Sequence, residues 1–304
     1  MGKSKRNTPK PDSNRAQRLA ERRAAQERAG AAATRPFQGL AAECDLVAFR
    51  EFVPSATAEL TIPDAKRPVR LATVLPGAVA ALVRAAESGD TGFVAAQVQH
   101  GSGDPAADLG VAVRWAQTAE PGESLASAAA AAQDDSPRLA DLIDPDAALD
   151  ITVHQDFGWW IPADVTPDPQ VAVAVERANG AILPTAQVEV DAPGAAWWVD
   201  AGEKAHLRWV RPEDEDDLMR ALARIHAAGA LTLGEGSRFA GTLRTHGLLI
   251  PVFDLDRERA PEHWAPACAA FDTSLRAALA EGAPLTSGDR RARDYLSARQ
   301  LTLR

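Results

Sequence analysis

His154 and Asp156 stand two apart in Asp150–Ile161, a segment whose composition reads as a strand. Residues two apart on a strand share a face, so an imidazole and a carboxylate would lie side by side. With a hydroxyl such as Ser237 they would supply the nucleophile, base and orienting acid of serine-based acyl transfer. Arg208 and His226 add a fixed cation and a second imidazole to the candidate catalytic residues. Serine, histidine and aspartate are common, so the plainer reading makes these packing and surface residues, and none is assigned a catalytic role. His226 lies on the rim of an apolar helix face, where a packed or capping histidine is the ordinary outcome.

Other constellations are absent. The six histidines (His100, His154, His206, His226, His246 and His263) include no pair at the spacing of a helical metal site. Two cysteines, Cys44 and Cys268, form no CxxC, which argues against a cysteine-based zinc site and for a reducing compartment. There is no GxxxxGK[ST], GxSxG or HExxH. The run LGEGSRFAG has the glycines of a phosphate loop, but it follows a helix pattern and precedes a strand pattern, the reverse of what phosphate binding needs. Glu213–Asp217 is a run of five acids, read as a solvated helix start rather than a cation site. No metal and no cofactor is expected.

Five of the seven tryptophans fall between Trp159 and Trp209, as the pairs Trp159–Trp160 and Trp197–Trp198 plus Trp209. Neighbours on a strand point to opposite faces, so each pair sends one ring to each side. An outward ring needs cover from the protein's own helices, a partner or a ligand. These five are therefore the candidate binding residues.

The elements that must position these groups centre on Ala195–Leu255. Ala205–Val210 is a strand stopped by Pro212. A helix follows, with Leu218, Leu222 and Ile225 on one face and Gly229 after its end. Arg238–Arg244 and Leu248–Leu255 read as a hairpin turning at Thr245-His246-Gly247. Upstream, a short helix follows Cys44. Thr57–Ile62, Val69–Leu75 and Phe93–Val98 read as strands, and Pro76–Glu87 and Ala107–Ala119 as helices. Downstream come a short helix at Arg138–Ile143, a helix at Asp168–Asn179, strands at Gln187–Val190 and Ala196–Val199, a long helix at Glu262–Ala280 and a short basic helix after Ser287. The expected fold is α+β, in two lobes of mixed or antiparallel sheet with packed helices. A weak internal duplication is one way to read the two lobes. The expected divisions are a disordered basic tail (1–34), an N-terminal lobe (35–119), a small-residue linker (120–137), a C-terminal lobe (138–285) and a short basic end (286–304).

The net charge of −9 over 304 residues is unevenly spread. The first 30 residues hold nine basic and three acidic side chains, a local +6 that leaves −15 for the rest. An acidic body does not wrap nucleic acid, and no sequence-specific DNA binding is expected. The tail residues Lys3, Lys5, Arg6, Lys10, Arg15, Arg18, Arg22 and Arg23 are candidate contacts to a polyanion, in a salt-dependent and sequence-blind way. No apolar run reaches the roughly 20 residues of a membrane span, and no hydrophobic stretch follows the basic start. The expected location is cytoplasmic.

Together, RPFQGLAAECDLVAFREFVPSATAEL (35–60), LADLIDPDAALD (139–150), VHQDFGWWIPADV (153–165), HLRWVRP (206–212), LARIHAAGALTLGEGSRFAGTLRTHGLLIPVFDL (222–255) and RRARDYLSARQLTL (290–303) resemble an uncharacterised actinobacterial family, a domain of unknown function. The resemblance covers about residues 35–304 and brings no assigned chemistry. Some relatives of that family carry an N-terminal SEC-C type zinc motif and a borrowed preprotein translocase name. No such motif precedes residue 35 here. By analogy the basic tail in its place implies an adaptor role. The expectation is a non-catalytic cytoplasmic binding or adaptor protein, whose tail meets RNA, a ribosome or another acidic partner, linked to protein synthesis or targeting. The alternative is an enzyme of unrecognised type with its site near the Trp-rich strands.

Overall fold

In the computed structural model the described residues are 35–86, 89–162 and 165–301. The basic tail and its candidate contacts lie outside them.

Helix α1 (Glu43–Glu51) explains the layering. Glu43, Cys44, Leu46, Val47, Ala48 and Phe49 are all buried, so apolar surface wraps most of its circumference. A helix apolar on more than one side must be covered on more than one side. Its side chains join a core that draws Val69, Leu71 and Val94 from one sheet and Trp197, Val210 and Ile250 from the other. The buried Glu43 is matched by Arg35, whose Nε and Nη2 each donate to its carboxylate at 2.6 Å. Arg35 also donates to the Pro212 carbonyl at 2.6 Å, tying the start of the fold to the second sheet.

The first sheet contains β1 (Ala56–Glu59), β2 (Val69–Ala72), β3 (Ala81–Arg84), β4 (Thr91–Ala95), β5 (Ser124–Leu125) and β6 (Ile151–Val153), in the order β5-β3-β4-β2-β1-β6. Only β2 and β4 run parallel. Helix α2 (Pro105–Ala116) packs on it, capped by Asp104, which accepts from Ala107 N at 3.2 Å. The stretch 120–137 carries β5, paired with β3, and the short helix α3 (Ala128–Ala131). Sheet strands thus come from both sides of the expected linker.

Two expectations are corrected here. Pro76–Glu87 is not a helix: Pro76–Ala78 is a 3-10 turn, and Ala81–Arg84 is β3. Val79, Leu82 and Val83 imitate a helical face. Pairing with β4 and β5 instead selects the alternation in which Ala81 and Val83 are buried and Leu82 and Arg84 are half-buried. Asp150–Ile161 is a strand only over Ile151–Val153, and Trp159 and Trp160 sit in a 3-10 turn, Gly158–Trp160.

Helix α4 (Pro169–Asn179) leads to the second sheet, β7 (Thr185–Gln187), β8 (Ala195–Asp200), β9 (Ala205–Val210), β10 (Ser237–Thr245) and β11 (Leu248–Leu255). Its order is β10-β11-β9-β8-β7, antiparallel throughout, so the strand connections of the first sheet are not repeated. β10 and β11 are joined by His246-Gly247, with φ of 49° and 72°, the left-handed pair that a two-residue hairpin of matching twist requires. Helices α5 (Glu215–Ala227), α6 (Ala265–Ala280) and α7 (Ser287–Ser297) cover the far face over Leu207, Trp209, Leu249 and Phe253. The molecule is α+β, stacked as sheet, helices, sheet and helices.

The tryptophans of β8 obey strand alternation. Trp197 enters the core shared with α1, and Trp198 enters the core under α5 and α6. Trp197, Trp198 and Trp209 are exposed by only 0, 9 and 1%. Both faces are roofed by the protein's own layers, so these rings are core rather than an open binding surface. Trp159 and Trp160 are half-buried. Their Nε1 atoms donate to Ser55 Oγ and the Val74 carbonyl, both at 3.0 Å.

Candidate functional site

On the inner face of the second sheet α1 covers only one end. There Val210, Leu248 and Ile250 are buried. The other end stays open as a cleft of about 360 Å³ lined by Lys204, His206, Arg208, Arg238, Asp254 and Arg299, with Ala240, Leu243, Val252 and Leu301 beside them. Period-two alternation explains the composition. Leu207 and Trp209 face the helices, so His206 and Arg208 face the cleft.

Register then sets the neighbours in two rows. Arg238 pairs with Asp254, and Asp254 with His206. In the next row Gly241 pairs with Val252, and Val252 with Arg208. Directly opposed residues on adjacent strands place their side chains on one face. The bulge at Ala240 moves the pairing on by one residue and keeps both rows facing the cleft.

A third piece comes from beyond α7. Thr242 N donates to the Arg299 carbonyl at 3.2 Å, and Leu301 N donates back to Thr242 O at 2.8 Å, so Arg299–Leu301 docks on the edge strand β10. Gly241 permits this approach. A Cβ there would lie 2.4 Å from the Arg299 carbonyl oxygen and 3.0 Å from Leu301 Cγ, and its φ is 157°. Leu301 thus occupies the space a side chain at 241 would take.

In the first row Asp254 is paired with two cations. Lys204 Nζ donates to its Oδ2 at 2.6 Å and Arg238 Nη2 to the same oxygen at 2.7 Å, while His206 Nδ1 lies 3.1 Å from Oδ1. Burial works to raise the Asp254 pKa, but Arg238 and Lys204 outweigh it and the carboxyl is held below its ordinary value. Burial lowers the His206 pKa. Asp254 opposes this, Arg208 and Lys204 add to it, and the net is below the usual imidazole value. Burial thus disfavours the charged form of His206.

Arg208 in the second row has no such partner among the described residues. Its guanidinium stacks 5.4 Å from the centre of the Phe52 ring and makes no hydrogen bond or ion pair to a carboxylate there. Burial depresses its pKa, although arginine stays charged. Arg299, which is exposed, stacks 5.0 Å from the Tyr295 ring. Among the described residues four permanent cations thus line the cleft with one carboxylate, which two of them already neutralise.

The other candidate residues are scattered. His154 shares a hydrogen with Thr57 Oγ1 at 2.9 Å and stacks on Trp159 with ring centres 5.4 Å apart, at the edge of the first sheet. Its pKa is lowered by burial, partly offset by Asp156. Asp156 accepts from Gly158 N at 2.7 Å and shapes the Trp turn. Ser237 closes the loop before β10, donating to the Gly234 carbonyl at 2.8 Å. His226 lies flat on Tyr295, with ring centres 5.0 Å apart. Of the four candidate catalytic residues only Arg208 is in the cleft, and no triad forms. Sequence reasoning missed Lys204, His206, Arg238, Asp254 and Arg299. The one legible signal was that His206 and Arg208 alternate with Leu207 and Trp209. Among the described residues no group of three or more His, Cys, Asp or Glu could hold a metal ion, and no helix is long and apolar enough to cross a membrane.

Fold and cleft define an α+β protein with a cationic pocket on an open sheet face. A model described as a family of unknown function, DUF5926, matches residues 36–304, and the chain belongs to that family. No curated protein and no solved structure matches it.

Proposed function

We propose that the chain is a non-catalytic cytoplasmic binding protein that takes an anionic group in the cleft between β9, β10 and β11. The observation that carries this reading is Arg208. A half-buried guanidinium with no counter-charge among the described residues costs solvation free energy, and an anionic ligand is the natural compensation. The scatter of His154, Asp156 and His226 favours binding over catalysis.

The test is titration of the full chain with inorganic phosphate and with acetate, followed by thermal shift and calorimetry. Arg208→Met should weaken either anion about tenfold or more, the scale of a lost charge-assisted hydrogen bond. The same substitution should stabilise the free protein by about 1 kcal/mol, seen as a raised melting temperature, because it removes an uncompensated desolvated charge. Equal binding by wild type and Arg208→Met would overturn the assignment.

The basic first 30 residues support a second, independent contact, in keeping with an adaptor. They would bind RNA, a ribosome or another polyanion weakly and without sequence preference. The log of affinity should fall with log salt at roughly −0.7 to −0.9 per phosphate contacted. Removing residues 1–34 should abolish that binding; binding that survives places the contact on the body.

A further inference from the structure

We infer that the cleft's ligand is a small amphipathic organic anion, a carboxylate or phosphate headgroup carrying a short apolar body. This rests on the proposal that the cleft takes an anion, and it adds what the rest of the ligand must be. The two rows of the sheet differ in kind. The Arg238–Asp254–His206 row is closed on itself, since Asp254 receives Lys204 and Arg238 and faces the imidazole. The next row offers a cation without an ion-pair partner among the described residues at one end and hydrocarbon at the other, with Arg208 opposite Val252, Val252 opposite Gly241, and Leu301 seated over Gly241. Leu243 and Ala240 extend the same apolar wall. A headgroup on the Arg208 guanidinium therefore projects its substituent across Val252 onto Leu301. A bare inorganic anion would leave that wall wet. At about 360 Å³ the cleft is at the small end for ligand sites, which favours a body of a few carbons over a nucleotide or a lipid.

The position of Leu301 makes the specificity a property of the docked segment. Arg299 brings a second guanidinium and Leu301 the far apolar wall, both held to β10 by two backbone hydrogen bonds through Thr242. The cleft is complete only while that segment is in place.

The experiment uses the full chain and a homologous series, acetate, butanoate and hexanoate, with inorganic phosphate and phenyl phosphate as the phosphate arm. Each methylene buried on the apolar wall should tighten binding about fourfold, converting about 0.8 kcal/mol per buried methylene. Phenyl phosphate should likewise exceed inorganic phosphate. Leu301→Ser should flatten the chain-length dependence, and Arg208→Met should weaken every member. Arg208→Lys keeps the charge and should recover part of the binding, which separates headgroup recognition from a folding defect. A series in which acetate and hexanoate bind equally, or an unchanged slope in Leu301→Ser, overturns the amphipathic ligand and leaves the anion site standing. If no member of either arm binds, the anion site falls with it.

Discussion

Asp45 on α1 provides a quantitative test of how the two sheets enclose that helix. Its carboxyl is pushed up from 3.8 to about 6 by burial alone. Its hydrogen-bond partner among the described residues, Gln187 Nε2, stands at 3.4 Å, too long to offset the lost hydration. A carboxyl with a raised folded pKa binds a proton more tightly in the folded state. Folding is then unpenalised below the unfolded value near 3.8; it loses stability as pH climbs from there to about 6, and the penalty is constant above that. A rise of that size makes the ionised carboxylate cost about 3 kcal/mol above pH 7, falling below about 1 kcal/mol near pH 4. Asp45→Asn keeps the shape and removes the charge. Chemical denaturation of both proteins from pH 4 to pH 8 should show the variant more stable at pH 8, with the gap closing as pH falls from about 6 towards 4. A constant gap across that range, or a less stable variant at pH 8, would refute the claim that burial is what Asp45 feels.

Gly241→Ala should expel Arg299–Leu301 from β10, because no side chain fits 2.4 Å from a carbonyl oxygen. Amide exchange at Leu301 should rise sharply, and stability should fall by about 2 kcal/mol for the two lost hydrogen bonds. Arg211 is fully buried between Glu213 and Asp272, at 2.5 and 2.8 Å; Asp272→Ala leaves the Glu213 pair and orphans Nη1, so it should cost about 1–3 kcal/mol in denaturant unfolding. Burial pushes both Cys44 and Cys268 up to about 12. Neither should react with a thiol reagent at pH 8 until the protein is unfolded, a contrast a timed labelling assay reads directly.

Much of the second half was legible because its signals are local. The α5 stripe of Leu218, Leu222 and Ile225, the acidic first turn and the hairpin at His246-Gly247 are set within a few residues, and each stands where periodicity and turn chemistry place it. The opposed rings of Trp197 and Trp198 follow from pleat alone. The first sheet was harder, since β3 is a four-residue strand made by its neighbours β4 and β5, and its own sequence fits a helix equally well. The cleft was hardest. Lys204, Arg238, Asp254 and Arg299 are separated by up to 95 positions, and only strand register, the bulge at Ala240 and the docking of Leu301 bring them to one face. No spacing rule along the chain encodes that convergence.

Helix α1 is finished early in synthesis but completed late. Its covering strands β8, β9 and β11 leave the ribosome roughly 150–200 residues after it, which at about 5–20 residues per second means on the order of ten seconds or more. During that interval Leu46, Val47 and Phe49 belong to a half-built core, with the second sheet still missing. A nascent chain stalled before Ala195 therefore displays an apolar helix to whatever stands at the exit tunnel. Translation speed through the segment between β6 and β8 sets how long that exposure lasts.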